Sequence, residues 1–329
     1  MITPNLFGSD VEKTNQQRRL NDSTWEGASL LTKTGTLDEI YQSLPVFSRH
    51  PFRSGGEENR YKDEIRREPL KIDENPIPVA TVTKTYSLIQ HRDVLASIYR
   101  ALKLLHLEVA ALESSLIMSE YGERMQWSCH LPNFDFDPGD GCPLVLQMNC
   151  LNSVDMSTSL EVTLSWFRLV CSNGLMFGMG DSRLRKRHIQ SLDPEDVAGY
   201  IKDQIALVEQ EQGMYKRWMK QGLSLDEAAK WADTVVSKEW GLHAAARVWS
   251  VIRFGEDGDV VASKQNRLAH EQELTSTTAV PGAPVPTENL FHASQALSWV
   301  AGTRKNIQDR LQFIKDIPAL MKPLAERSL

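Results

Sequence analysis

Long apolar runs are missing from this chain of 329 residues. Nothing in it approaches the roughly 18 to 20 consecutive apolar residues that a bilayer-spanning helix requires. Met1–Asp10 also lacks the basic-then-apolar layout of a secretory leader, so a cytoplasmic protein is expected, with no membrane partner. Cysteine is scarce: Cys129, Cys142, Cys150 and Cys171 are the four present, and no two stand in a Cys-x-x-Cys pair. They read as reduced, mostly buried thiols, and neither a disulfide framework nor a metal site is expected of them. A Gly-rich phosphate loop with a trailing Lys is absent, as is a His-Glu-x-x-His helix, so nucleotide hydrolysis and zinc-protease chemistry have no sequence support and no cofactor is expected. An excess of positive charge is missing too. Lys and Arg number 37 against 43 Asp and Glu, a net charge of -6, which excludes a surface coated in nucleic-acid-binding charge but leaves room for a local basic patch.

What the chain does have is a core. Hydrophobic residues make up 41% and charged residues 24%, the balance of a globular protein. Residues 1–78 read as a polar N-terminal arm, punctuated by Gly and Pro and by mixed-sign clusters such as Glu57-Glu58-Asn59-Arg60, with few short elements of its own. Residues 79–190 read as an α+β core. A β-rich run from Val79 is followed by a helix capped by Asp93 and running to about His106, with Val94, Leu95, Ile98, Leu102 and Leu105 as its apolar stripe. The period then becomes two. Met125, Trp127, Cys129 and Leu131 alternate with Arg124, Gln126, Ser128 and His130, and the same pattern returns at Leu144–Met148 and Leu160–Trp166. With Leu116–Met118, this predicts an antiparallel meander of about four to five strands with one apolar and one wet face, covered by helices.

A helical region is expected over 191–262. Pro194 stands in a first turn, and Ser224-Leu225-Asp226-Glu227 is a capping-box signature. Residues 263–286 read as a linker and 287–329 as C-terminal helices.

Candidate chemistry is sparse. The turn Asp135–Gly141 fails the spacing of a calcium loop, because Leu146 stands where the twelfth-position carboxylate should be, and it reads as a hairpin turn. The densest cationic feature is Arg183, Arg185, Lys186, Arg187 and His188, placed directly after the strands. Arginines on a connector beside a sheet could contact phosphates, with Trp127, Trp166 or Phe167 as stacking surfaces; the bland alternative is a solvated loop balanced by Asp193, Glu195 and Asp196. Candidates for nucleophilic catalysis are Cys171 with His188 or His130, and Ser153 or Ser157 with Asp155, although a thiol ending an apolar strand is more often a packing residue.

Two segments, Leu151-Asn152-Ser153-Val154-Asp155 and Phe167-Arg168-Leu169-Val170-Cys171-Ser172-Asn173-Gly174-Leu175, resemble the phage/plasmid-like family known as domain of unknown function 932, whose prophage members form uncharacterised protein family 0380. Asn152, Ser153, Asp155, Arg168, Cys171, Asn173, Gly174 and His188 fall on positions of the family's pattern, and Arg253-Phe254-Gly255-Glu256-Asp257 also looks like it. The likeness covers about residues 80–315. Val154 and Met156 depart from the pattern, standing where the family's turn has histidine and glycine, so the turn must be made another way; Ser172 replaces a glutamine. The resemblance implies a protein of phages, plasmids or other mobile elements, and carries no catalytic residues with it. On the residues themselves, Asn152, Ser153, Asp155, Asn173 and Gly174 read as backbone-organising turn residues. Arg168 falls on the apolar face of its strand and needs a partner, for which Asp155 and Glu161 are candidates, or a ligand.

Three functions from different classes follow as expectations. The first is a non-enzymatic mobile-element protein that holds single-stranded DNA through the basic run. The second is an interaction protein that binds a host or element-encoded factor, and the third is a thiol enzyme using Cys171, Asp155 and His188. Oligomeric state has no signature in the sequence.

Overall fold

The computed structural model describes residues 30–70, 74–107, 109, 112–168, 175–177, 184–186, 194–261, 268–304 and 307–326. The fold is α+β, with antiparallel sheets and a helical C-terminal part. The chain forms two compact units: residues 1–131, 147–164 and 182–206 make unit 1, and residues 132–146, 165–181 and 207–329 make unit 2.

Unit 1 begins with strand β1 (Leu31–Thr36), which runs straight into the short helix α1 (Leu37–Gln42). The switch is set by a capping box, in which the Thr36 hydroxyl accepts from Glu39 N while the Glu39 carboxylate accepts from Thr36 N. Those bonds hold the Glu39 carboxyl below its ordinary range. Strands β2 (Phe47–Ser54), β3 (Glu57–Arg67) and β4 (Ile77–Thr83) then form a separate antiparallel sheet. Gly55 and Gly56 make the β2–β3 turn at φ of 62° and 89°, as a two-residue hairpin whose twist matches its strands demands.

This segment corrects the expectation of a polar arm with few elements. Its apolar positions are sparse but well placed: Phe47, Ile65 and Val82 pack with Tyr86 and Val154, and of the mixed charges on β3 Asp63 and Arg67 are buried with Ile65 while Glu57, Glu58 and Arg60 face solvent. The polarity that suggests an arm belongs to a sheet.

Helix α2 (His91–Leu104) buries the expected stripe of Val94, Leu95, Ile98 and Leu102. It starts two residues before Asp93, with Gln90 at the N-cap. The meander follows as β5 (Glu113–Met118), β6 (Arg124–Phe136), β7 (Leu144–Ser153) and β8 (Leu160–Arg168). Short strands β9 (Leu175–Phe177) and β10 (Leu184–Lys186) both pair with β8, and the sheet order is β1-β5-β6-β7-β8-β10. Met125, Trp127, Cys129 and Leu131 are buried as the alternation requires, but so are Arg124 and Gln126 on the face expected to be wet. Alternation reports polarity, and a polar face can itself be covered.

Helix α3 (Pro194–Lys220) does start on Pro194, whose missing N–H costs nothing at a first turn. In unit 2, helix α4 (Leu225–Trp231) opens on the expected capping box of Ser224 and Glu227. It continues through a π-helical turn (Ala232–Val236) into α5 (Ser237–Trp240) and, after Gly241, α6 (Leu242–Phe254). Gly255, at φ of 66°, ends α6 in the left-handed conformation that suits glycine. Strands β11 (Glu256–Val260) and β12 (Leu274–Ala279) form a hairpin, so part of the expected linker over 263–286 is a strand. Helices α7 (Leu290–Gly302), capped by Asn289, and α8 (Ile307–Ala325) complete a core that includes Trp231, Val248, Ile252, Phe291, Leu297 and Ile317. Among the described residues no helix is long and apolar enough to cross a membrane.

Candidate functional site

In unit 1 the residues singled out at the end of β7 form a fully buried polar joint. The Asn152 amide donates to the Ile89 carbonyl at 3.2 Å and to His91 Nδ1 at 2.9 Å. That leaves the His91 proton on Nε2, which lies 2.7 Å from the Gly122 carbonyl. Both side chains are wholly buried, so the chain of bonds locks the start of α2 to the end of β7 and to the β5–β6 turn. The Ser153 hydroxyl donates to the Thr158 carbonyl and accepts from Thr158 N, closing the loop that follows. Asp155 accepts from Arg124 Nε at 2.7 Å and from Ser157 N at 3.0 Å. The Tyr86 hydroxyl reaches the Ser153 carbonyl, and burial, followed by the nearby Asp155 charge, pushes its pKa up.

Asp155 is held by Arg124 and a backbone amide, while the thiol and imidazole expected to work with it, Cys171 and His188, lie outside the described residues. Ser153 is bonded on both sides to Thr158. Burial raises the thiol pKa of Cys129 and Cys150, which fits packing and not nucleophilic chemistry. Val154 and Met156 settle how the turn is made. Val154 is buried against Phe47, Ile65 and Tyr86, and Met156 takes φ of 63° itself, in the left-handed region where the family's glycine would be unstrained.

The basic run is placed only in part. Arg185 and Lys186 lie on β10, where the register sets Arg185 opposite Glu161 and Lys186 opposite Leu160. Arg183, Arg187 and His188 lie outside the described residues, as do Cys171, Asn173 and Gly174. Arg168 ends β8, its backbone paired with Leu175. Trp127 and Trp166 are completely buried, so neither is a stacking surface for bases. The acidic turn behaves as a turn: Asp137 accepts from the backbone N–H of Gly139, Asp140 and Gly141.

Unit 2 holds groups that sequence reading passes over. Asp233, on the π-helical turn, grips His270 through its backbone N at 3.1 Å and its Nδ1 at 2.6 Å. This pair lines a cleft of about 520 Å³ with Lys230, Trp249 and Arg253. A carboxylate on Nδ1 keeps a proton on that nitrogen and orients the ring. Glu211 is buried among aromatic rings, accepting from Trp166 Nε1 at 2.6 Å, and burial pushes its carboxyl up to about 7. No local signal marks these pairs, because their members stand 37 and 45 residues apart.

The model of a family described as Domain of unknown function (DUF932) matches residues 78–310. The chain belongs to that family. No curated protein and no solved structure matches it.

Proposed function

We propose that this protein is a cytoplasmic phage- or plasmid-type factor that binds single-stranded nucleic acid through phosphate contacts along β10. One observation supports the reading: Arg185 and Lys186, two residues of the densest cationic stretch of the sequence, lie on the terminal strand of the seven-stranded sheet. An edge strand leaves one row of backbone groups unpaired, and basic side chains there offer donors to a phosphate backbone. With Trp127 and Trp166 buried, the reading rests on charge, which makes binding insensitive to sequence and strongly dependent on salt.

The test is a titration of a labelled oligothymidylate at several salt concentrations. Binding is expected to fall linearly in log-log form, and the joint change Arg185→Ala and Lys186→Ala is expected to reduce that slope by about 2, roughly one per lost phosphate contact. Absence of binding at low salt, or a slope unchanged in the double variant, refutes the reading. It turns attention to a protein partner.

A further inference from the structure

A second cleft in unit 2, of about 590 Å³, is formed by α6, the β11–β12 hairpin and the end of α7. That volume suits a small-molecule ligand. It uses Asp257 of the family-like segment and none of the β10 residues. Asp257 is fully engaged: Arg247 Nε and Nη2 reach its two oxygens at 2.7 and 2.5 Å, Trp299 Nε1 donates at 2.8 Å and Gly258 N at 2.9 Å. Arg247 Nη2 also reaches the Thr303 hydroxyl at 2.7 Å. The floor of the cleft is therefore rigid, and its one buried carboxylate is neutralised.

Arg304 stands beside this network, with Asp309 as the acid whose charge acts on it. Its Nε is buried with no hydrogen-bond partner, and its guanidinium lies 4.0 Å from the centre of the Phe313 ring. Burial, and then the positive charge of Arg247, lower its pKa. Arg247 is matched to Asp257 and Asp259 also lines the cleft, so Arg304 is the cation there whose Nε has no hydrogen-bond partner among the described residues.

The rim carries a second irregularity. The β11–β12 register shifts between Asp257 and Asp259, and Ser276, opposite the shift, takes φ of 55°. A non-glycine residue held there stores strain, and bulges commonly re-aim a side chain beside a site. Gly258 is required by the same bulge, since a Cβ on it would stand 2.5 Å from the Thr275 carbonyl. The cleft is lined by Ser276 and Thr278, whose side-chain hydroxyls make no hydrogen bond among the described residues.

We propose that this cleft binds the terminal phosphate of a small phosphorylated ligand, held from the floor by Arg304 and Arg247 and from the rim by Ser276 and Thr278. Several separate donors suit a tetrahedral group with three terminal oxygens, whereas a planar carboxylate presents both oxygens to one fork. The cleft has room for the organic part of the ligand beside Trp299.

Calorimetric titration and thermal unfolding of the full chain with inorganic phosphate, pyrophosphate and adenosine monophosphate, with acetate as comparison, test this. At least one phosphate compound is expected to bind saturably and raise Tm, and acetate to do neither. Arg304→Gln is expected to weaken binding at least tenfold while leaving oligothymidylate binding unchanged. Ser276→Gly is expected to raise the ligand-free Tm by relieving the strain and yet to weaken phosphate binding, an opposition that a purely structural serine would not produce. No saturable binding by any of the three, acetate binding as tightly as phosphate, or unchanged affinity in both variants overturns the assignment. Should Arg304→Gln fail to fold, the Ser276→Gly result decides alone.

Discussion

Asp155 in unit 1 and Glu211 in unit 2 are both acids withdrawn from water, and the protein treats them differently. Asp155 meets a guanidinium and a backbone N–H, with its side chain 11% exposed and that of Arg124 10%. Among the described residues Glu211 accepts from the indole N–H of Trp166 alone, with Tyr215 beside it raised by burial and by the Glu211 charge. The difference shows two ways of burying a carboxyl group. One matches the charge and makes the joint dependent on both partners; the other suppresses the charge and makes it dependent on pH. Breaking the first arrangement has the largest expected effect. Arg124→Ala leaves a buried carboxylate unmatched and is expected to lower stability by about 3 to 5 kcal/mol in urea unfolding. The double change Arg124→Leu with Asp155→Leu is expected to cost less than either single one. A double variant whose loss equals the sum of the singles would show that the pair is not coupled.

Glu211 is expected to give the next largest effect, and it appears only along the pH axis. In the unfolded chain this carboxyl ionises near its ordinary value of 4.5, while in the fold it keeps its proton up to about 7. The folded state thus binds more protons between those values, and stability falls as pH rises through that window, by on the order of 3 kcal/mol, before levelling off above it. Glu211→Gln keeps an acceptor for the Trp166 N–H and cannot ionise. Its unfolding free energy is expected to lose that part of the slope and to exceed the parent's at pH 8. Parallel pH profiles for parent and variant would place the titrating group elsewhere.

The contrast between these acids also marks what the sequence reveals. Local periodicity and capping chemistry are legible: the strands from Arg124 to Trp166, the stripe of α2, and the box at Ser224 and Glu227 follow from the residues alone. The hairpin of β2 and β3 is not, although β4 is marked by the β-rich run from Val79, because few of its positions are apolar and it reads as a polar arm. The Asp155 bond to Ser157 N is a local turn feature and was readable; its bond to Arg124 spans 31 residues and was not. Asn152 looked like a turn former, yet its amide reaches 63 residues back to Ile89. The cleft near Arg304 depends on a bulge that brings Ser276 to the neighbourhood of Asp257, a consequence of pairing register and not of either segment by itself.

The smallest effect concerns the loop between Asn152 and Thr158, where the family's glycine is replaced. Met156 holds φ of 63° and is 47% exposed, so it suffers the steric penalty of the left-handed conformation with little burial to offset it. Met156→Gly removes that penalty, while the added freedom of glycine in the unfolded chain takes back part of the gain. The net expectation is a stabilisation of about 0.5 to 1 kcal/mol, read as a higher denaturant midpoint at unchanged slope. Met156→Ala keeps the Cβ that causes the strain and is expected to gain nothing. If Gly and Ala prove equally stable, backbone strain does not govern this turn, and the Arg124–Asp155 joint alone fixes its shape.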